Sequence, residues 1–501
     1  MSQESNYTQI LKSSVIIGGA VGINLLLGAV RTKFAALLIG TAGVGLLTSF
    51  TTVQGLFSTL AGLGIQSSAV REIAASVAKG DEQAIGRTVL TLRRICWLTG
   101  LGGLLTISAI SVPVSQMTFG SDQYTLDIAA LGLIILFGNI SGGQMALIQG
   151  TRRIGDMARA NIVGAIFATV AAIGFYVALG LRGIVPSLVS IAALQLVISW
   201  YFARRVPVPQ VSLSWRQTFF EAGGMVRLGL VFMWNGLLVS VVSYITVALI
   251  TQQIGLQGVG LYSAAFALSG IFIKFVLNAM EADYYPRLTG MAQDKTAMNR
   301  LVNEQTEIGL LLAVPGLLAT LGLAPWIIRF FYTSEFIPAV ELLQWFVLGC
   351  MGRVISWPLG FMMLALGKGR WFFVAETVAN IAHMVLIAVG LSVFGLPGVA
   401  IASVVLYVFY TFVVLAVVRY LTAFYWSRGC LHLMASGLIV LVCTFVASKE
   451  LSLWPATLIG ALSTIGFCTY SLRGLVQRIG SDHRLTRAVS KLPIIRAICR
   501  Y

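Results

Sequence analysis

Ionisable side chains are scarce within the apolar stretches of this sequence, and most of those present are cations. Arg353 stands midway along the apolar run 340–366, with Gly349, Ser356 and Gly360 at helical spacing around it. Lys274 lies in the run 260–280, sharing a face with Ala267, Gly270, Asn278 and Glu281. Arg31 and Lys33 close the run 10–30, and Arg31 shares a face with Asn24 and Gly28. A charge at bilayer depth costs about 2.5–3.5 kcal/mol or more, so such a group faces a cavity or a partner. A guanidinium among small residues offers a planar fork for an oxyanion, and an ammonium offers a point charge. Each cation also has a purely structural alternative. Arg353 would pair with an acid or with carbonyls between helices, and Lys274 with Glu281 two turns along its own helix. Arg31 and Lys33 would snorkel to lipid headgroups.

The acids suggest different chemistry. Glu376, Asn380 and His383 fall at four- and then three-residue spacing in the run 371–394, so a carboxylate and an imidazole share a helix face and could relay protons. The alternative is that Glu376 pairs with Lys368 or Arg370 near the interface. Asp127, Glu307 and Glu341 fall at expected helix starts, where the macrodipole favours acids. Thr48, Thr51, Gly55, Ser58 and Gly62 form a small stripe that lets helices approach closely. Pro186, Pro315 and Pro358 interrupt apolar runs. No G-x-x-x-x-G-K-[ST] phosphate loop occurs, and no His/Cys cluster has metal-ligand spacing. The six cysteines are scattered without a CxxC pair and read as small core residues. No cofactor is expected.

The elements that must position these groups follow from composition. Of 501 residues, 57% are apolar and only 10% charged. Soluble domains carry about 25% charged residues. This excludes a cytosolic enzyme, a secreted disulfide scaffold and a nucleic-acid-binding domain; no nucleic acid is expected as a partner. At about 20 residues per crossing, the runs 10–30, 42–65, 93–112, 126–149, 160–180, 184–203, 227–250, 260–280, 306–327, 340–366, 371–394, 398–418, 430–447 and 453–472 predict an all-α integral membrane protein of about fourteen transmembrane helices. Alternating the loops places 27 of the 34 Lys and Arg on the side holding both termini and five on the other. The positive-inside trend then makes both termini cytoplasmic. The net charge of +16 belongs to those loops and to a basic tail, 473–501, that would lie on the anionic leaflet among membrane lipids.

The sequence also repeats itself. IGTAGVGL at 39–46 recurs as IGLQGVGL at 254–261, and LRGI at 181–184 as LPGV at 396–399, both 215 residues apart; QGTRR at 149–153 is similar to LGKGR at 366–370. Six expected spans per repeat is an even number, so the two lobes share an orientation and relate by a pseudo-two-fold along the membrane normal. The expected organisation is an N-terminal lobe at 1–215, a C-terminal lobe at 216–420, two further helices within 421–472, and the tail.

Two six-span lobes, two extra helices, and the glycine motifs Gly40, Gly43, Gly45 and Gly255, Gly258, Gly260 resemble the MOP superfamily, in particular its polysaccharide transporter branch of Wzx-type O-antigen flippases. The resemblance implies two helix bundles around a central cavity and no enzymatic step. It implies that undecaprenyl-pyrophosphate-linked oligosaccharide passes from the inner to the outer leaflet of a bacterial inner membrane. For such a substrate the charges read above make Arg353, Lys274, Arg31 and Lys33, with Asn24 and Asn278, the expected binding groups, and Glu376, His383 and Glu281 the candidates for H+ or Na+ coupling. Polymerase and chain-length proteins of the same pathway would be partners. A drug or cation antiporter of the superfamily would want acids in the cavity, whereas this set is cationic. A membrane polymerase would need a large outer loop, which is missing, and an acyltransferase an intramembrane histidine, for which His383 is the candidate.

Overall fold

A computed structural model describes the backbone of residues 3–479 and the side chains of 19–478 other than 231, 232, 275, 279, 281 and 282. The basic tail beyond 479 and the Glu281 side chain therefore lie outside the described residues. All regular structure among the described residues is helical. The chain forms two compact units, Met1–Gly260 with Phe331–Thr333, and Leu261–Phe330 with Ser334–Tyr501.

The first unit holds α1 (Gln3–Gly62), α2 (Ile65–Lys79), α3 (Glu82–Ala109), α4 (Ser111–Phe119), α5 (Thr125–Gly150), α6 (Ile154–Leu179), α7 (Ile184–Ala203) and α8 (Trp215–Gln253). Helix α9 (Leu256–Gly290) begins in the first unit and continues into the second. There follow α10 (Lys295–Gly322), α11 (Ala324–Phe331), α12 (Ala339–Ala365), α13 (Gly369–Phe394), α14 (Leu396–Thr422), α15 (Arg428–Glu450) and α16 (Leu453–Ile479).

Among the described residues, eleven helices are long and apolar enough to cross a membrane, or twelve when the pair Glu82–Ala109 and Ser111–Phe119, bent by 64°, counts as one span. The expected fourteen differs from this because two of the eleven, Gly19–Gly62 and Ile154–Ala203, run through breaks. One break is Gly40, at φ 65° and ψ −169°. The other is the turn Gly180–Gly183. Arg31 and Lys33 consequently lie inside a continuous helix that ends at Gly40, and not at the end of a short span.

The breaks carry the repeat. Gly40 and Gly255 both have positive φ, as do Gly180 and Gly395, and each pair is 215 residues apart. Glycine suits these breaks because it has no Cβ to clash there. The turn after α5 closes through Thr151 N–H to Leu147 O, Arg152 N–H to Gln149 O and Arg153 N–H to Ile148 O. The turn after α12 repeats each bond at the same offset: Leu366 to Met362, Gly367 to Leu364, Lys368 to Met363. Gly367 takes φ 68° there, and its counterpart Arg152 takes φ 57°. A non-glycine residue in the left-handed region costs roughly 1–2 kcal/mol.

Within the first unit the two motifs touch reciprocally. A Cβ at Gly45 would run into the Leu256 carbonyl, and a Cβ at Gly260 into the Thr41 carbonyl. Residues 41 and 256, like 45 and 260, are repeat equivalents, so this is a self-complementary contact about a local pseudo-two-fold.

Among the described residues, each unit has a core. Ile73, Leu92, Leu147, Ile148 and Phe202 centre the one in the first unit. Tyr284, Leu288, Leu359, Met362 and Val414 centre the one in the second, where Tyr284 donates to the Pro358 carbonyl at 2.9 Å. Helix α8 starts twelve residues before its apolar run because Ser214 and Gln217 form a capping box. Arg94 fixes its entry by donating to the Leu213 carbonyl (2.9 Å) and Thr218 (2.7 Å) while lying over the Trp215 ring.

Candidate functional site

The second unit assembles most of the expected site. Arg353 is half-buried on α12, which packs along α14. Gly352 allows the close approach: a Cβ there would sit 2.8 Å from the Tyr407 Cβ. The Tyr407 hydroxyl, on α14, lies within electrostatic reach of both Arg353 and Glu376. One helical turn along, the Tyr410 hydroxyl donates to the Glu376 carboxylate of α13. Asn380 donates to the Glu376 backbone carbonyl at 2.8 Å, so that member of the stripe serves its own helix. His383 is on the same face, and its Nε2 is buried without a hydrogen-bond partner.

Among the described side chains, no carboxylate lies within 4.0 Å of Arg353, and no cation within 4.0 Å of Glu376. The structural alternatives, an acid paired with Arg353 and Lys368 or Arg370 paired with Glu376, are therefore not formed there. The Tyr407 phenol lies near the guanidinium instead, and among the described residues no acid pairs with it. A second phenol holds the carboxylate.

Lys274 is exposed on α9, its stem near Gly270, which a Cβ would place 3.6 Å from the Lys274 Cε. Lys274 and Arg353 both act electrostatically on Cys350. The Cys350 thiol donates to the Ser269 carbonyl at 3.6 Å, linking α12 to α9. Asn278 is exposed one turn beyond Lys274.

The first unit places its groups separately. Arg31 is exposed and acts electrostatically on Tyr176, whose hydroxyl pairs with Ser187. The Lys33 ammonium donates to the Tyr332 carbonyl, so it is committed to the backbone. The Asn24 Oδ1 is buried with no hydrogen-bond partner. No group of three or more His, Cys, Asp or Glu is placed to hold a metal among the described residues.

Two features were not drawn from the sequence. Tyr407 and Tyr410, three apart on α14, face Arg353 and Glu376, Tyr410 by a hydrogen bond to the Glu376 carboxylate; the signal was a pair of hydroxyls on one face of an otherwise apolar run. Glu307 was expected at a helix start, but α10 begins at Lys295 behind the Asp294 cap. Glu307 instead accepts from Arg478 (2.8 Å) and Ser427 (2.9 Å), tying α10 to α16 and to the start of α15.

The fold is that of the MOP superfamily transporters. It is similar to the lipid II flippase MurJ in an inward closed conformation, with a TM-score of 0.68 at 13% identity, over 93% of this chain and 100% of that one. It is also similar to a multidrug resistance MATE family transporter in an inward-facing conformation, with a TM-score of 0.65 at 15% identity, over 80% of this chain and 94% of that one. Residues 35–341, more than half of the sequence, match the polysaccharide biosynthesis protein family, and the chain belongs to it. The lipid III flippase of Escherichia coli (strain K12) is 23% identical over 375 residues, 71% of this chain and 84% of that protein; the lipid III flippase of Shigella flexneri matches to the same extent. These relatives are flippases and transporters, not enzymes.

Proposed function

We propose that this multi-pass membrane protein is a flippase for lipid-linked precursors, moving undecaprenyl-pyrophosphate-linked oligosaccharide, an O-antigen or similar repeat unit, from the cytoplasmic to the periplasmic leaflet. The observation that carries the reading is Arg353, half-buried within α12 with no acid paired to it among the described side chains, and with Lys274 also within electrostatic reach of Cys350. Such a guanidinium keeps its full charge for a pyrophosphate, which it would grip by two parallel hydrogen bonds. The flippase relatives, acting on lipid-linked substrates by their names, support the same substrate class. A cationic drug would favour free acids, and Glu376 is already engaged by Tyr410.

In this reading the glycan enters a wet cavity while the polyprenyl tail stays in lipid. The lobes 1–215 and 216–420 alternate access, with the helices within 421–472 appended and both termini in the cytoplasm of a bacterial inner membrane. Arg31 with Asn24 contributes from the first lobe and Asn278 from the second. Lys33, bound to a carbonyl, orients more than it binds. Glu376 and His383 couple the cycle to a proton or sodium gradient, and polymerase and chain-length proteins take up the delivered unit. The test is reconstitution in liposomes with labelled pyrophosphate-linked glycan. Accessibility in the outer leaflet should rise with this protein and not with Arg353→Glu. Transport of an organic cation, with no movement of the lipid-linked glycan, would replace the flippase reading by the antiporter.

A further inference from the structure

The second unit contains a recess that the transport reading does not use. It has a volume of about 410 Å³ and lies between the ends of α10 and α12 on one side and α15 and α16 on the other. Its mouth carries the ion pair of Lys449, at the end of α15, with Glu341 in the first turn of α12. One turn further along α12, Gln344 lines the recess at only 4% exposure, with no hydrogen bond to any described group. Its carboxamide opens on the recess and is available to hydrogen-bond a ligand there. The recess has a rigid floor, because Gly322 and Gly460 meet backbone to backbone: a Cβ on either would lie 2.5 Å from the other's Cα.

The surroundings define the ligand. Trp326 and Trp454 pack at 5.4 Å beside the recess, and the Trp326 Nε1 donates to Thr457 Oγ1, one of its lining residues, at 3.1 Å. Paired tryptophans belong at headgroup depth. Helix α12 starts at Pro338 with no side-chain cap, and its first turn opens on the recess with that of α16. Such N-terminal amides favour a phosphate. An adjacent acid and base suit a ligand that is itself an adjacent cation and anion.

We propose that this recess binds a zwitterionic phospholipid headgroup of the phosphoethanolamine type, as a lipid wedge between α10–α12 and the last two helices. Glu341 takes the ammonium, Lys449 and the α12 amides take the phosphate, and Gln344 closes on the phosphate or the glycerol ester. The site is independent of the transported substrate.

The test uses purified full-length protein incubated with phosphatidylethanolamine, phosphatidylcholine or phosphatidylglycerol of identical acyl chains, with bound lipid counted by native mass spectrometry. The wild type should retain phosphatidylethanolamine about ten-fold over the other two, as one charge-assisted contact predicts. Glu341→Gln should remove that preference. Gln344→Leu, which keeps the volume and removes only the carboxamide, should lower phosphatidylethanolamine retention several-fold without altering the melting of delipidated protein. Equal retention of the three lipids by the wild type would overturn the proposal. So would unchanged phosphatidylethanolamine retention in Gln344→Leu, which does not depend on how Glu341→Gln folds.

Discussion

Replacing Arg353 probes the proposed anion contact most directly. Arg353→Ala removes a charge-assisted bond to the pyrophosphate worth about 1.5–3 kcal/mol. That corresponds to roughly ten- to hundred-fold in substrate affinity. The structural loss is smaller, because no described acid is left unpaired. Arg353→Lys retains charge without the fork and should act partially. Arg353→Glu should be inactive, since it repels the anion and lies near the Glu376 carboxylate through Tyr407. Tyr407→Phe keeps the ring that packs on Gly352 but removes the hydroxyl within electrostatic reach of the guanidinium. It should therefore weaken export only a few-fold. The assay is surface glycan in a strain lacking its flippase, with each variant quantified in the membrane. Wild-type export from Arg353→Glu at normal protein level would refute the anion-binding role.

If Lys274 serves the substrate, Lys274→Ala should abolish transport while Glu281→Gln leaves some. Full flipping by the double neutral variant would instead mark a structural pair. Glu376→Gln should make transport insensitive to an imposed proton or sodium gradient while downhill movement continues; unchanged gradient dependence would remove Glu376 from coupling. Gly45→Ala and Gly260→Ala should each lower the melting temperature, by about 1–3 kcal/mol of overpacking. Because they share one contact, the double variant should lose less than the sum; strict additivity would argue against the reciprocal packing. Burial and the nearby Glu221 push the Glu72 carboxyl of α2 above the ordinary range. A carboxyl raised by folding weakens the fold once pH exceeds its unfolded-state value, and is neutral in both states below it. Glu72→Gln should thus stabilise the protein at pH 7 and lose that advantage in acid, measured by melting against pH. Cysteine probes at 295 should label only from the cytoplasm and those at 331–336 only from outside; labelling of 295 from outside would invert the topology.

The sequence alone determined what depends on neighbours along the chain. Long apolar runs give membrane helices because an unpaired backbone group in hydrocarbon costs several kcal/mol. The repeat was legible for the same reason: glycines at 40 and 255, and at 180 and 395, break helices locally, and the breaks fall where the motifs place them. The cations were legible because a charge in an apolar run is conspicuous. What only the tertiary structure decided is what each charge meets. The distances from Arg353 to Tyr407, from Glu376 to Tyr410 and from Lys33 to the Tyr332 carbonyl are set by packing between helices. Periodicity assigns a residue to a face without naming the neighbour of that face. Packing likewise decided that α8, the first helix of the second repeat, compacts with the first unit, and that Gly45 and Gly260 meet reciprocally. The recess at Gln344 was invisible in sequence for the same reason: its walls come from helices distant in the chain, and a lone glutamine gives no sign that it lines a recess.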